Sequence, residues 1–152
     1  VRSKIGQIEG IAFEHQLSPK NLLEEFTGVC NRYLIDKQLV YISQTEAEAT
    51  TWDLEVHTKK NRILPLESLS SGEKHILSIF SYVYLRPPRP CAVLIDEPEL
   101  SISVEWQRQL LPDLLKARHC CFLMAATHSP FIFDNELATN TIDLQEYIQE
   151  YN

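Results

Sequence analysis

Residues 69–97 read LSSGEKHILSIFSYVYLRPPRPCAVLIDE, and their order decides the fold. A small-residue turn, Leu69-Ser70-Ser71-Gly72-Glu73, opens an apolar helix starting near Ser71. Ile76, Leu77, Ile79, Phe80, Val83 and Tyr84 recur at the spacing that lines one broad helical face. Pro87-Pro88-Arg89-Pro90 closes the helix, because proline lacks the N–H to continue it and biases its predecessor away from helix. Ala92-Val93-Leu94-Ile95 is a continuous apolar run, the pattern of a strand buried on both faces, and it delivers two acids, Asp96 and Glu97.

Working outward, Val104 to Arg118 reads as a second helix with Trp106, Leu110 and Leu114 at steps of four. Pro112 lies inside it and should cost about 3 kcal/mol or force a kink. Cys121 to Ala126 is a second buried strand, ending in Thr127-His128-Ser129-Pro130. Thr141 to Leu144 reads as a short edge strand and the last residues as a frayed helix. Upstream, Ser18-Pro19 is a helix start, a hydroxyl cap followed by proline at the first position. Leu22, Leu23, Phe26, Cys30, Tyr33 and Leu34 carry the helical spacing onward. Leu39 to Ile42 reads as a strand, and Trp52, Leu54 and Val56 alternate with Asp53, Glu55 and His57 as a half-buried antiparallel strand does. An exposed turn is expected around Glu46 to Thr51.

Buried strands alternating with amphipathic helices specify an α/β fold with a parallel sheet flanked by helices, and an antiparallel strand pair near residues 39–58 joins it. Ligands bind such sheets at the carboxyl ends of the strands. The two polar groups, Asp96-Glu97 and Thr127-His128-Ser129, should therefore emerge together on one edge.

The 152 residues can bury one core. No apolar stretch of 18 residues is present, so no membrane span is expected. The net charge of −7 argues against gripping nucleic acid by the overall field. Lys59, Lys60 and Arg62 form a local basic cluster, read as a solvated hairpin tip. The four cysteines contain no C-x-x-C pair, and three sit in apolar surroundings, as in a reduced cytoplasmic protein with buried thiols. The histidines are scattered without zinc-ligand spacing.

Three groups carry chemistry. Asp96 can hold Mg2+ through water, and Glu97 can orient or deprotonate a water attacking a γ-phosphate. Ser70-Ser71-Gly72 sits where a helix N-terminus offers free N–H groups to phosphate, with Gly72 allowing close approach and Glu73 and Lys74 facing solvent. His128 can donate a hydrogen bond to a γ-phosphate. Each has a plain alternative when taken singly: solvated acids, a simple cap, a structural histidine.

Order and spacing together make residues 66–135 resemble the C-terminal half of an ABC-type ATPase domain, a P-loop NTPase. Leu69 to Glu73 matches the signature motif usually written LSGGQ, Ala92 to Glu97 matches Walker B, Glu99 to Ser103 stands at the D-loop and His128 matches the switch histidine. The variants L-S-S-G-E-K, D-E-P-E-L-S and T-H-S-P-F-I-F-D-N are similar to the AAA-21 and overcoming-lysogenization-defect group. Within it they resemble PtuA-type subunits of Septu and retron-associated anti-phage systems. The resemblance implies ATP and Mg2+ sandwiched between two protomers of a homodimer or higher oligomer. Ser70, Ser71, Gly72, Glu73 and Ser103 would serve the nucleotide, Asp96 the metal, and Glu97 and His128 catalysis. It also implies a partner effector, plausibly a nuclease, with nucleic acid reached only through that complex.

No G-x-x-x-x-G-K-[ST] loop occurs, and the sequence opens on Val1. Together these are read as a fragment or processed chain whose Walker A part lies elsewhere, inactive alone. On this reading residues 1–65 hold the helix and antiparallel strands, 66–135 the motifs and 136–152 a tail. A non-catalytic ATP-dependent scaffold and a DNA-repair ATPase of SMC type stay open beside it, although no heptad run of a coiled-coil arm is present.

Overall fold

The computed structural model describes residues 18–46, 49–86 and 89–147. The first helix, α1 (Pro19–Cys30), begins as expected, with the Ser18 hydroxyl accepting from the Asn21 N–H at 3.3 Å. It stops at Cys30, short of the Tyr33 and Leu34 that share its spacing. The Asn31 side chain ends it by exchanging two hydrogen bonds with the backbone of Leu39, at 2.6 and 2.9 Å, which turns the chain back on itself. Tyr33 and Leu34 are nevertheless buried in the core.

Strands β1 (Lys37–Glu46) and β2 (Ala49–Thr58) pair antiparallel throughout, and β3 (Ile63–Leu64) adds to the edge of β2. The broad turn expected around Glu46 to Thr51 is thereby corrected, because Thr50 and Thr51 pair with Thr45 and Gln44. Lys59 and Lys60 form the turn after β2, and Lys59 pairs with Asp36.

Helix α2 (Ser71–Tyr84) ends before the expected proline block, whose first two residues, 87–88, lie outside the described set. Strands β4 (Cys91–Asp96) and β5 (Cys120–Ala126) pair parallel, joined by α3 (Val104–Leu115). Tyr33, Phe80 and Leu110 meet at the centre of the core, with the Tyr33 and Phe80 rings 5.3 Å apart. Asp113, itself buried, ties three elements together. It accepts from Tyr33 Oη and from Arg32, each at 2.9 Å, while its carbonyl accepts from Tyr84 Oη at 2.8 Å. Burial, with the Asp113 carboxylate second, pushes the Tyr84 hydroxyl up to about 12.

Three further expectations are corrected. β4 and β5 are covered on one face only: Val93, Leu123 and Ala125 pack inward, while Leu94, Met124 and Phe122 are 66%, 56% and 53% exposed. A run of apolar residues shows that both faces favour burial, yet the described helices reach only one. Cys30 alone of the cysteines is buried; Cys91 and Cys120 are half-buried and Cys121 is exposed, being nearer the strand ends. Residues 141–143 form no strand, and Leu144–Tyr147 is a 3-10 turn; the remaining residues of the expected frayed helix lie outside the described set.

Pro112 does not break α3. Its missing N–H leaves the Arg108 carbonyl without its helical donor, and Asn135 Nδ2 supplies one at 2.9 Å.

Candidate functional site

β4 and β5 end side by side because they are parallel and in register, with Asp96 opposite Ala126. The Glu97 N–H extends this ladder by one bond to the Ala126 carbonyl, at 2.8 Å. Glu97 itself has left-handed backbone, φ 49°. That conformation costs a non-glycine residue on the order of 1 kcal/mol and recurs at functional sites. Glu97 Oε1 stands 3.6 Å from His128 Nε2, whose side chain is 90% exposed. Asp96 is also exposed. The two polar groups therefore emerge on one open edge as expected, and Glu97 meets the histidine there.

Pro98 is buried and turns the chain into the segment 99–103. Glu99 reaches back across this edge. Its Oε2 accepts from Thr127 Oγ1 at 2.7 Å, and its Oε1 accepts from the His128 and Ser129 N–H groups at 2.9 and 3.1 Å. Burial works to raise the Glu99 carboxyl, but these bonds outweigh it and hold it below the usual carboxylate range. Gln107 makes a parallel link, accepting from Ser129 Oγ at 2.6 Å and donating to the Ile102 carbonyl at 3.1 Å. Ser103 is exposed and caps α3, accepting from the Trp106 N–H at 3.4 Å.

The turn before α2 is a complete capping box. Ser70 Oγ accepts from the Glu73 N–H at 3.2 Å, and Glu73 Oε2 accepts from the Ser70 N–H at 2.8 Å. The Ser70 hydroxyl still has its own proton to donate, and Ser70 and Ser71 are exposed. Glu73 departs from the solvent-facing position expected of it. It is 5% exposed and holds Lys37 Nζ at 2.8 Å through both oxygens. Burial pushes its carboxyl upward, and the bonds from Lys37 and Ser70 more than offset this, leaving it lowered. Gly72 is buried, and a Cβ there would lie 2.3 Å from the Ser101 carbonyl oxygen. Its missing side chain therefore seats the α2 turn on the 99–103 segment.

Contacts thus connect residues 70–73 to 99–103 and on to 127–129. Sequence reasoning gave no role to Gln107 or Lys37, and it held Glu99 and Asn135 only as motif residues, without the contacts they make. Their partners lie 22 to 36 residues away, so no local periodicity marks them. Among the described residues no three His, Cys, Asp or Glu side chains cluster to hold a metal. A hard cation here would rest on Asp96 with its remaining ligands from water and phosphate oxygens, as Mg2+ commonly does. None of the described helices is long and apolar enough to cross a membrane.

Residues 36–134 match the model of the AAA_21 family, described as "AAA domain, putative AbiEii toxin, Type IV TA system". None of the curated proteins compared matches the chain. Among the solved structures that share its fold are two at 12% identity. One is the Smc head bound to the C-winged helix domain of ScpA, with a TM-score of 0.57, covering 74% of this chain and 36% of that one. The other is an Smc head domain with a coiled coil and joint derived from Pyrococcus yayanosii, with a TM-score of 0.55, covering 75% and 23%. The α/β fold is thus of the P-loop NTPase kind, and the chain spans about a third and a quarter of those two structures.

Proposed function

Because the chain belongs to the AAA_21 family, we propose that it is the signature and Walker B portion of a nucleotide-binding ATPase that hydrolyses ATP between two protomers. The observation that carries this reading is the Glu97–His128 pair, 3.6 Å apart on the open strand edge, with Glu97 held in left-handed backbone. Mg2+, when bound with the nucleotide, would neutralise phosphate charge. Asp96 would hold it through water. Glu97 would accept the proton of the attacking water, and His128 would donate a hydrogen bond to the γ-phosphate. Ser70 and Ser71, at the N-terminus of α2, would face the γ-phosphate bound by the other protomer. Gly72 and Glu73 would serve by seating and holding that turn, and Ser103 would lie at the protomer interface.

A Walker A segment, from the same polypeptide or from another chain, would complete the site. The exposed apolar face of Leu94, Met124 and Phe122 supports such a completion, since apolar area of this kind gains about 25 cal/mol per Å2 when covered. ATP bridging two protomers creates differential affinity for the closed state, and hydrolysis removes it. We place this switch in control of a partner effector, a nuclease in anti-phage defence, inside the cytoplasm. The fold likeness to Smc heads favours a second reading, a DNA-maintenance ATPase. Flanking sequence discriminates: coiled-coil arms on either side would favour the second.

The test is Glu97→Gln in the complete protein. Turnover should fall by about 10²–10⁴-fold while ATP binding and ATP-dependent dimerisation persist. Turnover at the parent rate would remove Glu97 as the base.

A further inference from the structure

We infer that Glu99 is a positioning residue for His128, fixing where the imidazole stands relative to Glu97. The inference rests on the function proposed above for His128. The imidazole is almost fully exposed, so no packing holds it. Its place is set by the backbone of residues 127–129. Three donors of that turn converge on the one Glu99 carboxylate: Thr127 Oγ1 at 2.7 Å and the His128 and Ser129 N–H groups at 2.9 and 3.1 Å.

The residue type fits the task. A carboxylate offers acceptors only, so all three donors can be served at once, and charge-assisted bonds of this kind are about twice as strong as neutral ones. Asp would fall one methylene short of the turn. Glu99 is itself well placed to act as a fixed point. It follows the buried Pro98, lies two residues after Glu97, and its carbonyl accepts from the Ile102 N–H at 3.2 Å. The base and the anchor of its neighbour thus share one short segment. Gln107 joins the same two segments from the other side, through Ser129 Oγ and the Ile102 carbonyl. With Gln107 keeping the turn near, loss of Glu99 would let residues 127–129 shift without releasing them.

The experiment compares Glu99→Ala and Glu99→Gln with the parent, in the complete protein. Amide exchange at His128 should quicken by about tenfold or more in Glu99→Ala, as expected for a donor losing a charged acceptor, and by less at Ser129, whose N–H also bonds Thr127 Oγ1 at 3.0 Å. Turnover of ATP should fall by about 10–100-fold, the scale of a misplacement near 1 Å. ATP affinity should fall by much less than turnover, since the His128 bond to the γ-phosphate is one of many contacts to bound ATP while its placement matters most in the chemical step. Glu99→Gln keeps an amide oxygen for the two N–H groups and should restore most of the rate. Unchanged exchange at both amides would overturn the grip. Faster exchange with the parent's turnover rate, or equal loss in affinity and rate, would overturn the positioning role. A parent protein without ATP turnover would instead sink the function proposed above, and the exchange comparison would then decide for or against the grip alone.

Discussion

Replacing Gly72 by Ala places a Cβ 2.3 Å from the Ser101 carbonyl oxygen and 3.5 Å from Trp106 Cζ3. Restoring an ordinary contact of 3.4 Å requires a displacement of roughly 1 Å between α2 and the 99–103 segment. The obstacle is backbone, and Ser101 already sits at φ 64°, so the carbonyl has little freedom to retreat. Overpacking of this kind costs about 1–3 kcal/mol. Alanine recovers up to about 1 kcal/mol over glycine inside a helix, and less in the first turn. The net expectation is a loss of about 1–2 kcal/mol, or about 0.5–1 M in a urea midpoint. Gly28 supplies the internal control. It also lies in a helix, α1, with nothing within 4 Å of an added Cβ. Gly28→Ala should therefore stabilise by about 0.5–1 kcal/mol. The same chemical change takes opposite signs at the two sites, and urea unfolding of both variants reads the difference. A Gly72→Ala protein stabilised as much as Gly28→Ala would refute the close approach.

Two further outcomes are expected. Glu73 has a folded pKa below its ordinary 4.5, so its stabilisation is complete above about pH 4.5 and drains away as pH falls through the lowered value. Urea midpoints followed from about pH 6 to pH 3 should fall less steeply in Glu73→Gln than in the parent, though Glu99, lowered likewise, keeps part of the slope. Identical slopes would count against the Lys37–Glu73–Ser70 arrangement. Asn135→Ala should cost about 1 kcal/mol by leaving the Arg108 carbonyl without a donor, and that cost should shrink when Pro112→Ala restores the helical N–H. Strict additivity in this double-mutant cycle would show that Asn135 does not stand in for the missing helical bond.

The elements legible in the sequence are those whose causes lie within about four residues. Ser18 before Pro19 caps α1 as read, and Ser70 caps α2 as the plain alternative for that turn had it, because a cap bonds its own first turn. The alternation of Trp52, Leu54 and Val56 placed β2, and the apolar runs ending in Asp96-Glu97 and Thr127-His128 placed β4 and β5 with their polar ends on one edge. Their pairing in parallel register follows from the order strand, helix, strand.

What the sequence left undecided depends on where the chain returns. Helical spacing ran past Cys30 to Leu34, but Asn31 finds the Leu39 backbone eight residues on and ends the helix. The run Ala92 to Ile95 states a preference for burial on both faces; the reach of the helices leaves Leu94 in the open. Glu73 in a first turn reads as solvated, until Lys37 from the start of β1 arrives above it. The motif residues Asp96, Glu97 and His128 were therefore visible from order alone. The contacts around them came only with tertiary structure: Gly72 on Ser101, Glu99 on the 127–129 turn, Asn135 on the Arg108 carbonyl. A residue type specifies which bonds it can make, and only the folded path of the chain specifies which partner is within 3 Å to make them.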